Sequence, residues 1–312
     1  MLLSQNEDVI VCSQGWTDHS ALWVLDTRSG EVSTQQVSDA SYLSTHEGSQ
    51  DYFCVVHHYN GDRFDITVHK FLDPFQSVAA AHVGPSSTAF DGDPLAWAHA
   101  PSAYVEYLNC LSDNDYHLVL LDGVRSKAEI ITLDWYDDSY DKGYQGVIGA
   151  LQVPDKDTLI ISIQRDSHPV VFDPIKRAVK AKISLAGRHG NPTLRFRRLA
   201  NELWADDYDT LLRLSPSNLR VKDRLLLQPA RAGTAQFIGE YCFDPAETLC
   251  AVARPFSGDV VGVDTKKFKL THACNLGGQP LLVSLLSDGR VYARDWKTGE
   301  LSSGRLTRMA RG

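Results

Sequence analysis

An all-β chain built from short repeated units is the fold class this sequence predicts, and three observations predict it. One pattern returns along nearly all 312 residues: apolar residues leading to an Asp, a polar turn, then a second alternating apolar run. The steps between copies are mostly those of a four-stranded unit, for which ~40–50 residues is usual. Few segments place apolar residues at helical spacing over ten or more positions.

The copies read in order as follows. The first is Trp23-Val24-Leu25-Asp26-Thr27-Arg28-Ser29-Gly30-Glu31-Val32, followed by Phe71-Leu72-Asp73-Pro74 and Val119-Leu120-Leu121-Asp122-Gly123. Val171-Phe172-Asp173-Pro174 comes next, then a degenerate Leu212-Arg213-Leu214-Ser215-Pro216. Val261-Gly262-Val263-Asp264-Thr265 and Val291 to Glu300, marked by Asp295, complete seven copies. The marked positions are 47, 49, 51, 42, 49 and 31 residues apart. An Asp at a turn accepts hydrogen bonds from backbone N–H groups two residues on, and Gly tolerates positive φ, so Asp-x-x-x-Gly closes a hairpin. A strand-like run follows each copy, as at Val179 to Leu185, and another precedes it, as at Leu159 to Ile163, so a blade reads as inner strand, second strand, Asp-marked third strand and outer strand. Leu194 to Trp204 is the main ambiguity, with a short helix as the alternative. The expectation is one seven-bladed β-propeller of four-stranded antiparallel blades spanning residues 1–312, with six or eight blades also compatible. The short last step leaves the final blade one strand short, and the N-terminal segment Met1 to Ser13 is expected to complete it, because closure needs its edges covered.

Leu25 to Val32 and Asp288 to Leu301 resemble repeats of the YVTN-type and quinoprotein-like propellers, a superfamily similar to WD40. Gly277-Gly278-Gln279-Pro280 ahead of Leu281 resembles the lead-in of the YVTN repeat. The Gly-His and Trp-Asp dipeptides of WD40 proteins are absent. Adjacent cysteines and blade-wise Trp docking are absent too, so the quinone cofactor of some relatives is not implied. The resemblance implies a fold and is nearly silent on function.

Composition narrows the function classes. A hydrophobic fraction of 43% supports a sizeable core. The formal net charge of -8 argues against general binding to nucleic acid or to an anionic membrane. The first residues lack a basic region and a continuous apolar run, so no secretory signal is expected, and no stretch is long and apolar enough to span a bilayer. Cys12, Cys54, Cys110, Cys242, Cys250 and Cys274 form no Cys-x-x-Cys pair, which argues against zinc and thioredoxin-type redox chemistry. Four of them, Cys12, Cys54, Cys110 and Cys250, sit in apolar runs and read as reduced core thiols, which fits the cytoplasm.

In this architecture the second-to-third strand loops share one face. Aligned, they bring together His19, then His58 and Asp62, Asp115 and His117, Arg165 and His168, Asp206-Asp207-Tyr208-Asp209, Arg254 to Asp259 with Phe256 between, and Asp288-Gly289-Arg290. Asp occurs in all seven loops, His in four and an aromatic in five. One reading is a ring of Asp and His suited to a divalent metal or a polar ligand. The plain reading is ordinary turn chemistry. His46-Glu47, Asp91-Gly92-Asp93 and His99 fall near predicted inner strands of the second and third blades and read as structural hydrogen-bonders. Asp137 to Gly143 fails as a calcium loop, because Lys142 stands where Gly is required. No phosphate-binding loop or nucleophile elbow is present.

Two surface stretches stand out. Trp135, Tyr136, Asp138, Tyr140 and Tyr144 lie on a long acidic loop rich in aromatics, and exposed Trp and Tyr are typical interface anchors. Arg195-Phe196-Arg197-Arg198 reads as a strand with one charged face, and Arg305, Arg308 and Arg311 read as a frayed terminus. The leading expectation is a cytoplasmic, non-enzymatic scaffold that holds a protein partner, with no cofactor, no nucleic acid and no membrane. The rival is a lyase or hydrolase with a divalent metal and a His/Asp site in the central channel. A sensor of sugars or other small polar ligands is a weaker third.

Overall fold

Alternating apolar positions bounded by Asp and Gly turns produce strands almost throughout. The computed structural model describes residues 1–13, 21–37, 40–44, 51–58, 64–84, 87–99, 104–107, 117–122, 127–132, 147–152, 158–163, 169–173, 175–185, 193–215, 217–227 and 237–309. Two compact units divide the chain, Met1–Asp137 and Asp138–Gly312.

The first unit holds three antiparallel sheets. One consists of β1 (Leu2–Leu3), β2 (Val9–Ser13), β3 (Ala21–Asp26) and β4 (Val32–Gln36) in that order. A five-stranded sheet follows: β5 (Ala40–Ser44), β6 (Tyr52–His58), β7 (Phe64–Lys70), β8 (Asp73–Gly84) and β9 (Ser87–Gly92). The helix α1 (Pro94–His99) comes next, with Asp93 Oδ1 accepting the Leu95 N–H at its start. β10 (Tyr104–Tyr107), β11 (His117–Asp122) and β12 (Lys127–Thr132) make the third sheet.

The second unit holds four sheets. β13 (Val147–Gln152), β14 (Leu159–Ile163), β15 (Val170–Asp173) and β16 (Ala178–Lys182) form one. β17 (Leu194–Arg197), β18 (Glu202–Asp207), β19 (Thr210–Leu214) and β20 (Val221–Leu226) form the next. β21 (Tyr241–Phe243), β22 (Leu249–Arg254), β23 (Asp259–Asp264) and β24 (Lys269–Asn275) are followed by a three-stranded sheet of β25 (Pro280–Leu285), β26 (Arg290–Asp295) and β27 (Leu301–Arg305). The last strand, β28 (Thr307–Arg308), pairs back onto β24.

The Asp turns are built as the repeat requires. Asp26 Oδ1 accepts N–H bonds from Arg28 and Ser29, each 2.8 Å, and those two bonds hold its carboxyl below the usual range. Asp173 does the same for Ile175 and Lys176, and Asp264 for Lys267.

Continuous apolar runs follow from burial on both faces of a sheet. In β6, Phe53 and Val55 pack with Val11, Leu22 and Val24 of the first sheet, whereas Cys54 and Val56 pack with Ile66, Val68 and Ala81. In β18, Leu203 and Ala205 join Ile160 and Val171 of the preceding sheet. Trp204, fully buried, instead meets Val252 and Val263 of the following one and sits edge-on to Phe243 and Phe268. Cys12, Cys54 and Cys250 are buried thiols outside any disulfide, as expected, and burial pushes Cys54 up to about 12; Cys110 lies outside the described residues.

Several expectations need correction. Met1 to Ser13 supplies the first two strands of the first sheet rather than completing the last one. Sheets carry three to five strands rather than four throughout. Leu194 to Trp204 is a hairpin, because Leu194 and Phe196 alternate inward with Arg195 and Arg197. Asp91 and Gly92 lie on β9, at the far edge of its sheet and not on an inner strand. Arg305 and Arg308 are strand residues, and Arg305 donates to the Asp288 carbonyl at 2.7 Å.

Candidate interaction surface

Turns that close second strands onto third strands meet at one end of the second unit. Tyr208 follows β18 in a two-residue turn, at φ 58. The β22–β23 turn runs from Arg254 to Asp259 and carries Phe256. Trp296 opens the β26–β27 turn, and Phe237 precedes β21. Four rings gather there. Phe237 stands edge-on to Phe256 at 5.1 Å and to Trp296 at 5.7 Å, with Tyr208 6.4 Å away. Phe256 and Trp296 are 6.5 Å apart. Tyr208, Phe256 and Trp296 remain 39%, 43% and 53% exposed, and Leu226, paired beside the same turn, is exposed too.

Polar residues fix the turns beneath these rings. Arg254 pairs with Asp259 across its own turn through two parallel bonds, Nε to Oδ1 at 2.8 Å and Nη2 to Oδ2, with Arg254 buried and Asp259 partly so. Asp295 Oδ1 accepts the N–H groups of Lys297 and Thr298, and Oδ2 that of Gln279. Burial pushes the Asp295 carboxyl up, but these three N–H groups outweigh it and hold it below the usual range. Gly278 sits beside it at φ 58, a conformation that favours glycine, and a Cβ there would press on Asp295 Oδ2. Arg294 Nε donates to the Gly299 carbonyl.

A partly buried polar cluster links neighbouring sheets. Arg195 on β17 bonds Glu240 at 2.8 Å, and Glu240 Oε2 accepts the Val283 N–H of β25 at 3.2 Å. Tyr241 Oη donates to the Thr193 carbonyl, and the Thr193 N–H bonds Asp206. Burial pushes the Asp206 carboxyl up to about 7, despite the Thr193 bond and the nearby Arg195. Two cations of the basic run are paired locally: Arg195 with Glu240, and Arg197 with Glu202 at 3.0 Å and Glu247 at 3.8 Å.

Among the residues expected on the polar face, Asp207 and Arg254 end β18 and β22 and are buried, and Arg254 pairs across its turn. His58 ends β6 and His117 begins β11. His19, Asp62, Asp115, Arg165 and His168 lie outside the described residues, as do Trp135, Tyr136, Asp138, Tyr140 and Tyr144, and His46-Glu47. No group of three or more His, Cys, Asp or Glu able to hold a metal occurs among the described residues. No described helix is long and apolar enough to cross a membrane.

Trp296 and Phe237 were not expected on this surface. The last Asp copy was aligned with third-strand ends, yet Asp295 ends β26, the second strand of its sheet. The closeness of Trp296 to Phe256 puts its turn at the β22–β23 end, and Asp288-Gly289-Arg290 becomes the β25–β26 turn. Asp288 Oδ1 closes that turn as well, accepting the Arg290 N–H at 2.9 Å. Asp thus marks a tight turn, not a fixed place in the repeat, which explains the short step of 31 residues.

No protein-family model matches the sequence, and no curated protein sequence matches it significantly. Solved structures do resemble it. The β-propeller domain of Cps50 (Swd1) from Myceliophteria thermophila aligns with a TM-score of 0.63 at 10% identity, covering 98% of this chain and 96% of that one. A putative 6-phosphogluconolactonase from Bacteroides fragilis gives 0.58 at 11%, covering 98% and 99%. The periplasmic gluconolactonase PpgL of Pseudomonas aeruginosa gives 0.59 at 15%, covering 97% and 98%. At these identities the likeness speaks to fold alone: the chain is an all-β protein with the β-propeller fold.

Proposed function

We propose that this chain is a non-enzymatic interaction scaffold that holds a protein partner on the turn-end surface of its second unit. The observation that carries this reading is the cluster of Tyr208, Phe237, Phe256 and Trp296, with three of its rings exposed. Large aromatics held rigidly by closed turns offer apolar area at little entropic cost, which is how interface anchors work. The acidic aromatic loop from Trp135 to Tyr144 is a second contact under the same reading.

The test is affinity capture with the intact chain, followed by calorimetry on the purified partner. Removing an anchor aromatic typically costs about 2 kcal/mol or more, roughly 30-fold in affinity. Trp296→Ala and Phe256→Ala should each weaken binding by about that factor. Unchanged affinity in both variants would sink this surface, and loss confined to Trp135→Ala and Tyr140→Ala would move the contact to the acidic loop.

Likeness to two gluconolactonases supports a second reading, a hydrolase, with a divalent metal in the channel as one way to achieve it. Turnover of a sugar lactone, together with about one metal per chain by elemental mass spectrometry, would favour it.

A further inference from the structure

Among the described residues the sheets differ in how their outer strands are protected, and β4 is left bare. An edge strand presents unpaired N–H and C=O groups, so folded proteins cover it, bend it or charge it. In the second sheet β8 is covered by β9, and β24 is covered by β28. β16 carries Lys180 and Lys182, with a register shift between Val171 and Phe172 of its neighbour. β20 carries Lys222, Asp223 and Arg224, with a shift between Arg213 and Leu214. β27 lies against the preceding sheet, where Gly304 leaves no room for a Cβ beside Cys274. β4 has none of these devices. Its sequence is Val-Ser-Thr-Gln-Gln, uncharged and free of Pro, in unbroken register with β3, and every residue is exposed.

The register says which of its groups point outward. The Asp26 N–H donates to the Glu31 carbonyl at 3.0 Å, so Asp26 and Glu31 are a bonded pair. Bonded and non-bonded pairs alternate along an antiparallel ladder. Ser33 opposite Val24 and Gln35 opposite Leu22 are therefore bonded inward. Val32, Thr34 and Gln36 face Leu25, Trp23 and Ala21 as non-bonded pairs and turn their N–H and C=O groups away from the sheet.

We propose that β4 pairs antiparallel with β4 of a second copy of this chain, about a two-fold axis through Thr34. That register sets Thr34 opposite Thr34 and Val32 opposite Gln36, so the three outward residues meet as bonded pairs with about six interchain hydrogen bonds. Threonine opposite threonine is a favourable cross-strand pair, and no charge on β4 meets its own copy. The same operation on β16 would set Lys180 against Lys180. A strand this short buries less than the ~1,200 Å² of a stable interface, so the dimer is weak and forms at high concentration.

Sedimentation equilibrium from about 10 µM to about 1 mM, with amide hydrogen exchange at both ends of that range, tests the pairing. The expected result is a monomer–dimer equilibrium in which exchange at Val32, Thr34 and Gln36 slows as concentration rises, while Ser33 and Gln35 stay unchanged. Thr34→Lys, which places like charges together on the axis, should weaken the dimer at least tenfold, and Thr34→Val should preserve it. A wild-type chain that stays monomeric across the range overturns the proposal, even if it captures an extended peptide from another protein. So does a dimer that Thr34→Lys leaves intact, or one without the alternating protection. This pairing does not depend on the aromatic surface of the second unit.

Discussion

Acid should weaken the first unit through one buried imidazole. His69 on β7 is 5% exposed, stacked on Phe53 at 5.3 Å, with its Nε2 2.8 Å from Thr67 Oγ1. The same hydroxyl lies 2.9 Å from Nε2 of His57, which is also buried. Burial, aided by the neighbouring His57, lowers the His69 pKa from 6.5 to about 4, outweighing the nearby Asp73 carboxylate. The unfolded chain then binds a proton more readily than the folded one, so stability is intact above pH 6.5 and falls as pH drops towards 4. With those two values, linkage gives a loss of about 2 kcal/mol by pH 5 and about 3 kcal/mol by pH 4. His69→Gln removes the titrating ring and leaves an amide able to bond Thr67. Urea unfolding of both chains at several pH values between 7.5 and 4 isolates the site, because every other titrating group is common to the two. The wild type should lose about 3 kcal/mol relative to the variant over that range. Parallel curves would refute the argument, since a solvated His69 would titrate alike in both states.

In the second unit the sign reverses. Asp206 has its carboxyl raised to about 7 by burial, so the folded state holds the proton more tightly and stability rises as pH falls from 8 to 5, by about 3 kcal/mol; Asp206→Asn should flatten that rise in denaturant titrations. Asp259→Ala should cost about 3 kcal/mol or more by stripping the buried Arg254 of this carboxylate. Thermal unfolding measures that loss, and a cost near zero would mean that water reaches the guanidinium readily.

Much of the fold was legible because its chemistry is local. Leu159 to Ile163 was read as a strand and is β14, and the Asp26, Asp173 and Asp264 turns close through their own carboxylates, as their spacing implied. The same locality misled at Asp295, where an identical turn sits one strand earlier in its sheet. Asp206 and Asp207 looked like loop residues and are buried strand ends, because the turn needs only Tyr208 and Asp209. The aromatic surface was half visible: Tyr208 and Phe256 stood in aligned loops, but Phe237 belongs to no repeat, and which turns adjoin is a tertiary fact.

The apolar cores bear on how small a piece of this chain can fold. Among the described residues, the cores of the second unit lie between consecutive sheets: Leu203 with Ile160, Trp204 with Val252, Ala253 with Val283. A single sheet excised from the chain would turn two oily faces to water and keep only its own hairpin bonds. The smallest autonomous piece is therefore a stack of several neighbours, and the liability of any fragment concentrates at its two cut faces. Lengthening the stack by one sheet adds a buried seam without adding a raw end, so cooperativity accumulates along the chain rather than residing in any one blade.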